Sequence, residues 1–302
     1  MKRVLLTGAS GFIGRHASAL LAARGYEVHA VSSRPDTNTV PGICWHHADL
    51  LGGVDTARLM AEVRPSHLLH FAWYAEPGKF WCSSENFRWL EASIALLRHF
   101  REQGGERVVM AGTCAEYDWN YGFCSEQVTP CRPVTPYGVC KNALQETLHS
   151  YCDEEGLSSA WGRIFFLYGP GEHPARLVAS VVISLLKGEV ARCTHGNQIR
   201  DFLHVDDVAN AFIALLDSDV RGAVNIASGR PVTLREMVLA AADCLGARDQ
   251  VNFGVLPATE SEPPLLVADV RRIGTELGWR PNYDLTAGMA QTVRYWRARS
   301  VA

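Results

Sequence analysis

Apolar runs of strand length alternate along the chain with segments whose apolar positions recur at helical spacing. Val4-Leu5-Leu6 has the length of a short buried strand, and a segment of helical character runs from Phe12 to about Gly25. Glu27 to Ser32 alternates and is rich in valine, which predicts a second strand. Ile43 to Ala48, Ser66 to Ala72, Arg107 to Gly112 and Ser158 to Phe166 continue the series of strands, and Val54 to Val63 reads as a helix. Further helices are predicted from Thr135-Pro136, over Arg176 to Lys187, to about Leu216 and from about Leu285, with a strand at Ala223 to Ala227. Thr233 to Gly246 is also helical, Thr233 being the N-cap and Glu236, three residues on, completing a capping box. Strands alternating with helices predict an α/β fold with a doubly wound parallel sheet. A smaller mixed α/β lobe follows from the remaining segments: residues 1–168 form the sheet domain, 169–302 mainly the lobe, and about 200–228 return to the sheet domain.

Between the first strand and helix lies Thr7-Gly8-Ala9-Ser10-Gly11-Phe12-Ile13-Gly14. A strand, a glycine-rich turn and a helix form the phosphate cradle that opens a dinucleotide-binding, Rossmann-type fold. Gly8 permits the tight turn, Gly11 leaves room for a pyrophosphate, and Gly14 lets helix and strand pack closely. The helix start then presents free N–H groups and a positive dipole end to the anion. An acid at the end of the second strand would hold the adenosine ribose of NAD. This chain has Ser32-Ser33-Arg34 there, and a cation with hydroxyls suits the 2′-phosphate of NADP. NADP(H) is therefore favoured, with NAD(H) as the alternative.

Composition narrows the picture by exclusion. The chain has 302 residues, 47% hydrophobic and 20% charged, with net charge −3. This is ordinary globular composition, with no basic face for nucleic acid. No apolar run has the length of a membrane span, and the N-terminus lacks a signal peptide's apolar core, so a cytoplasmic protein without a membrane partner is expected. The nine cysteines are scattered, without C-x-x-C spacing. They read as reduced thiols, and no metal site is expected.

Tyr137 and Lys141 are four apart and project from one face of a helix. Proton transfer to a ketone near neutral pH calls for a tyrosine pKa well below its usual value of about 10, which a nearby ammonium supplies. The lysine can also hold nicotinamide ribose hydroxyls. Thr113, after the fifth strand, offers a hydroxyl to the reacting oxygen. The stretch from Trp73 to Trp81 crowds four aromatics into a loop at the carboxyl end of the sheet. Trp73 and Tyr74 are candidates for stacking on a sugar or base, the alternative being that the loop packs against the second lobe.

The TGxxGxxG spacing resembles the short-chain dehydrogenase/reductase superfamily. With Tyr137-Gly138-Val139-Cys140-Lys141, Tyr168-Gly169-Pro170-Gly171 and Arg200-Asp201-Phe202-Leu203-His204-Val205-Asp206-Asp207, the likeness narrows to its extended branch, the NAD(P)-dependent epimerase/dehydratase family. The resemblance covers nearly the whole chain. It implies that Asp49, beside Leu50, contacts the adenine, that Phe71 and Ala72 line the cofactor, that Asn86 lies near it, and that Arg200 binds a nucleotide diphosphate. It also implies a homodimer with the Tyr137 helix at the interface. The chain departs from the pattern in several places. Cys114-Ala115 stands where dehydratases carry Asp-Glu, and Cys114 is one position off the cysteine of ring-inverting relatives, so a buried structural thiol is expected there. Glu116 is either an acid or base, or an exposed or capping residue. Phe166 replaces an asparagine, and Thr259, near Glu260 and Glu262, replaces an arginine. Losing a donor and a cation weakens the case for a diphosphate, unless Arg176 compensates.

These features predict an NADP(H)-dependent enzyme that reduces a keto group on a nucleotide-linked sugar or related carbohydrate, Tyr137 giving the proton. An NAD-dependent nucleotide-sugar 4-epimerase is the alternative. A cofactor-sensing protein without catalysis is a third reading, which the presence of Thr113, Tyr137 and Lys141 argues against.

Overall fold

The computed structural model describes residues 2–34, 41–258 and 262–300. Thr259, read in place of the family arginine, and its neighbour Glu260 lie outside them. Strands β1 (Arg3–Thr7), β2 (Glu27–Ser32), β3 (Ile43–His47), β4 (His67–His70), β5 (Arg107–Thr113), β6 (Phe123–Cys124) and β7 (Ser158–Ile164) are followed by β8 (Phe166–Tyr168), β9 (Ala191–Arg192), β10 (Ile199–His204), β11 (Gly222–Ile226), β12 (Pro231–Thr233), β13 (Val251–Asn252) and β14 (Leu265–Ala268). The helices are α1 (Phe12–Ala23), α2 (Val54–Val63), α3 (Glu85–Glu102), α4 (Pro136–Glu154), α5 (Leu177–Leu186), α6 (Val205–Asp217), α7 (Leu234–Leu245), α8 (Arg271–Glu276) and α9 (Leu285–Ser300).

Seven parallel strands form the main sheet in the order β3-β2-β1-β4-β5-β7-β11. A parallel sheet covered on both faces needs near-continuous apolar strands, and β4 and β5 are buried throughout. Successive side chains alternate between the faces. Leu6 joins Leu21, Val208 and Phe212 under α1 and α6. Leu5 joins Met60, Leu97, Leu144 and Trp161 under α2, α3 and α4. The second lobe holds the sheet β12-β10-β14-β6, with β8 beside β10, and a small β9–β13 pair. Helices α5, α7 and α9 share a separate core that includes Val182, Met237, Ala241 and Met289.

The strand predicted at Ser158 to Phe166 is divided. Its first part stays in the main sheet, and after Ile164 the chain crosses to pair Phe166–Tyr168 with β10. The expected return to the main domain at about residue 200 starts later, at α6. β10 pairs with β12, β14 and β8 and so lies in the second sheet. Asp201 is fully buried and accepts from Ser228 N at 2.7 Å and Gly229 N at 2.9 Å. The lobe is also less contiguous than its assigned range, since Ile273 and Trp279 pack into the α1–α6 core. The predicted capping box is present: Thr233 Oγ1 accepts from Glu236 N, and Glu236 accepts from Thr233 N. No described helix is long and apolar enough to cross a membrane.

Candidate active site

The glycine turn is shaped as its spacing predicts. Gly8 has φ +66°, and a Cβ there would come within 2.7 Å of Ala72 N. A side chain on Gly14 would overlap the Gly8 carbonyl, so α1 can lie against the turn only with glycine at that position. Gly11 is the N-cap of α1, with no side-chain cap and no acid in the first turn. The amides at the start of α1, from Phe12 and Ile13 on, are therefore left for an anion. These features fit a pyrophosphate. Thr7, expected at the cofactor, is fully buried at the foot of the turn: its hydroxyl bonds His70 Nδ1 at 2.6 Å and accepts from Ala72 N at 3.3 Å, fixing the turn to β4. Arg15, which the motif does not single out, spans the turn through Gly11 O and Ser10 O, both at 3.2 Å.

Thr113, Tyr137 and Lys141 come together at the carboxyl end of β5. Thr135 caps α4 by accepting from Gly138 N at 3.2 Å, and Pro136 occupies its first turn. A side chain on Gly138 would overlap the Ala115 carbonyl. Glycine there lets the start of α4 touch the turn that follows Thr113, and Tyr137 hydrogen-bonds Thr113. Burial pushes the Tyr137 pKa well above its ordinary value, and the Thr113 bond opposes the shift. Lys141 is 3% exposed, donates to Ala111 O at 2.8 Å and lies 3.8 Å from the Trp73 ring centroid. Burial lowers its pKa to about 7, against the pull of Glu116. The expected depression of the tyrosine by the ammonium is thus not what this arrangement does. Lys141 turns to Ala111 and Trp73, and burial favours its neutral form as it favours the neutral form of the Tyr137 phenol.

Glu116 is neither exposed nor free. It is fully buried, accepts from Thr113 N at 2.8 Å in a capping box and pairs with Arg163 Nε at 2.6 Å. Trp161 Nε1 adds a bond at 3.0 Å. The capping alternative is the one the structure takes. Cys114 is buried, and burial raises its pKa, as expected of a structural thiol.

The aromatic loop walls the tyrosine. Phe80 meets Tyr137 edge-on at 4.8 Å, Trp81 meets it at 5.6 Å, and Trp119 stands 6.0 Å from Trp81. Arg176 lies over Phe80 at 5.4 Å, close enough to pull the Tyr137 pKa down. Asn86, expected near the cofactor, is fully buried behind the loop. It accepts from Trp73 Nε1 at 2.8 Å and donates to Phe80 O at 2.7 Å, because the loop's backbone turns through its amide. The Tyr74 phenol donates to Glu76 at 3.1 Å on the exposed side of the loop. Glu172, which no motif marks, is 6% exposed. Burial lifts its pKa to about 8 against Arg176, and its Oε2 has no partner among the described residues. An acid directly after Tyr168-Gly169-Pro170-Gly171 was the available signal.

At the adenosine end, Ser32 is buried and bonds Ser10, whereas Ser33 and Arg34 are exposed where β2 leaves the sheet. Asp49 is exposed and accepts from Leu51 N at 3.0 Å, Leu50 is buried, and Phe71 packs edge-on against Phe212 at 4.9 Å beside buried Ala72. Arg200 is 2% exposed and lies over Phe166 at 5.3 Å, so the residue in place of the family asparagine supports it by stacking. Burial lowers the Arg200 pKa and Glu262 opposes the shift. A cleft of about 590 Å³ opens nearby, lined by residues including Ala115, Trp119, Arg132, Thr135 and Glu262.

A phosphate-cradling turn, a doubly wound sheet and a Thr–Tyr–Lys constellation at its carboxyl edge define an enzyme of the extended short-chain dehydrogenase/reductase type. A profile of the NAD dependent epimerase/dehydratase family matches residues 4–227, and the chain belongs to that family. UDP-glucuronic acid decarboxylase 1 of Xenopus tropicalis is 26% identical over 308 residues, covering 98% of this chain and 72% of that protein. UDP-glucose 4-epimerase of Rhizobium meliloti is 26% identical over 321 residues, covering 98% and 97%. The Thermus thermophilus UDP-glucose 4-epimerase solved with NAD superposes with a TM-score of 0.87 at 29% identity, covering 98% of this chain and 99% of the other. MoeE5, solved with UDP-glucuronic acid and NAD, gives 0.84 at 30% identity, again covering 98% and 99%.

The state of Lys141 has a measurable consequence. Its folded pKa of about 7 lies below the unfolded value of roughly 10.4, so the unfolded chain binds the proton first as pH falls. The resulting cost is absent above the unfolded value, grows as pH falls between the two and is complete below about 7. Denaturant titrations of the wild type and Lys141→Met should therefore show wild-type stability rising relative to the variant from pH 7 to pH 10. Parallel pH profiles would contradict the buried, depressed lysine.

Proposed function

We propose that the protein reduces a keto group on a nucleotide-linked sugar, using NADP(H) and the residues Thr113, Tyr137 and Lys141. The observation that carries the reading is the end of β2, where Ser33 and Arg34 are exposed and no carboxylate follows the strand directly. A guanidinium there favours a 2′-phosphate, and an acid would repel it. Gly8, Gly11 and Gly14 hold the pyrophosphate on the amides of α1. When bound, the cofactor supplies hydride to the carbonyl carbon.

The chain's own residues handle the oxygen. Thr113 Oγ1 accepts from Ala115 N at 3.2 Å, and its O–H, which meets the Tyr137 phenol, would pass to the reacting oxygen of a substrate seated between the two. Tyr137 gives its proton to the same oxygen as the hydride arrives at carbon, and the phenolate then recovers a proton from solvent. With the cofactor bound, Lys141 would turn from Ala111 O to hold its ribose hydroxyls. Trp73, Phe80 and Trp81 exclude water and restrict turning of the sugar. Arg200 and Arg176 are the cations for a diphosphate, and Glu262 beside Arg200 favours its charged form.

The NAD-dependent 4-epimerase reading stands second. It is favoured by the UDP-glucose 4-epimerases among the relatives, one of them solved with NAD. There the same residues would oxidise the sugar and reduce it again on its other face. We further propose a homodimer through α3 and α4, which expose Phe87 at 52%, Ile94 at 37% and Val139 at 46%.

Fluorescence titration with NADPH and NADH separates the two readings. Preference for exchangeable NADPH, reduced by an order of magnitude or more (~10-fold per 1.4 kcal/mol) in Arg34→Asp, is expected. NAD⁺ that survives dialysis, with no effect of Arg34→Asp, would overturn the NADP assignment in favour of the epimerase. Light scattering should give a dimer mass for the wild type and a monomer for the Phe87→Glu/Ile94→Glu double variant; a wild-type monomer refutes the dimer.

A further inference from the structure

β2 and β3 form the edge of the main sheet on the far side of β1 from β5. Parallel pairing sets His29 opposite Cys44 and Val31 opposite His46. Residues two apart on a strand share a face, so Cys44 and His46 lie together, and His29 joins them from the neighbouring strand. Val31, on the same face as His29, belongs to the core under α2, which places the trio on that side. The His29, Cys44 and His46 ligand atoms all lie within 4.8 Å of one another, and His29 Nδ1 is 2.8 Å from His46 Nε2. Behind them, His29 Nε2 meets Glu27 Oε1 at 3.0 Å, and Glu27 is itself held by Arg3 Nε at 3.0 Å.

That carboxylate fixes the ring. With the proton of His29 on Nε2 and donated to Glu27, the Nδ1 lone pair faces His46 and Cys44. Two imidazoles and a thiolate are the donor set of zinc and similar borderline ions, and a carboxylate behind a ligating histidine is the usual orienting device. Tetrahedral zinc with these ligands wants donor atoms roughly 3.3–3.6 Å apart. The rings therefore part slightly and the exposed Cys44 turns in, both within side-chain rotation.

We propose that His29, Cys44 and His46 bind one Zn²⁺-class ion, Glu27 orienting His29 and solvent filling the fourth position. Binding releases the Cys44 thiol proton to solvent, and the proton between the rings moves from His46 Nε2 to Nδ1. The ion clamps the edge strand β3 to β2, the two strands whose ends carry Asp49 and Arg34. Spacing along the chain pointed to no metal site, since strand pairing assembles this one from residues 15 and 17 positions apart and not from a C-x-x-C stretch.

The test uses the full untagged chain, stripped with chelator and titrated with Co²⁺. One equivalent per chain should produce tetrahedral d–d bands and a thiolate charge-transfer band, both displaced by Zn²⁺. Cys44→Ser should abolish the charge-transfer band, and Cys82→Ser, at another exposed cysteine, should leave it intact. Glu27→Gln should weaken Zn²⁺, read by competition with a chromophoric chelator, by about 10- to 100-fold. Wild-type protein without these bands, or bands that persist in Cys44→Ser, would leave only a His29–His46 hydrogen bond and overturn the proposal.

Discussion

The site rests on one buried ion pair. Glu116 and Arg163 meet at 2.6 Å with the carboxylate fully buried and the guanidinium side chain 4% exposed. Such a pair holds its charges out of water only if the remaining hydrogen-bonding capacity is used, and removing one partner costs about 3–5 kcal/mol. Here it is used. Glu116 also takes Thr113 N and Trp161 Nε1, while Arg163 reaches Tyr117 Oη at 3.1 Å and Cys131 Sγ at 3.1 Å. Tyr117 passes the chain of bonds to Asn225 at 2.7 Å, and Asn225 to Cys124 O at 3.0 Å and Asp269 O at 3.1 Å. The turn that presents Thr113 is thereby tied to β7, β11 and the second lobe at once.

The other half of the site depends on absent side chains. Gly138 lets α4 come down on the Ala115 carbonyl, and Gly14 lets α1 come down on the Gly8 carbonyl. One close approach sets Tyr137 on Thr113, and the other turns the amides of α1 toward a phosphate. Rigid backbone contact does what a flexible pair of side chains would do less sharply, and burial of Lys141 and Tyr137 follows from the same closeness. Their pKa shifts run in opposite directions, one toward neutral lysine and the other toward neutral tyrosine, because a dry site disfavours both charges.

The parts legible in the sequence were those written locally. The glycine turn, the α2 helix at Val54–Val63, the Thr233–Glu236 box and the Tyr137–Lys141 spacing each depend on residues a few positions apart. Motif position places Thr7 and Asn86 near the cofactor but does not record that their hydroxyl and amide bond His70 and the loop backbone, partners 63 and 6 residues away. The split between β7 and β8 was illegible because Phe165 and Phe166 continue an apolar run, and only pairing with β10 shows the change of sheet. Trp119 and Glu172 reach the neighbourhood of Tyr137 through loops whose course no periodicity records.

The central claim is net hydride delivery to a carbonyl at the Thr113–Tyr137–Lys141 site. The most direct measurement follows deuterium from C4-deuterated NADPH, by mass spectrometry, into a panel of 4-keto sugars linked to nucleoside diphosphates. The account predicts one deuterium fixed in an alcohol product per NADPH consumed, with the transfer lost in Tyr137→Phe. No deuterium transferred to any of the keto sugars, together with C4 epimerisation of the corresponding 4-hydroxy nucleotide sugars without NADPH consumed, would contradict it.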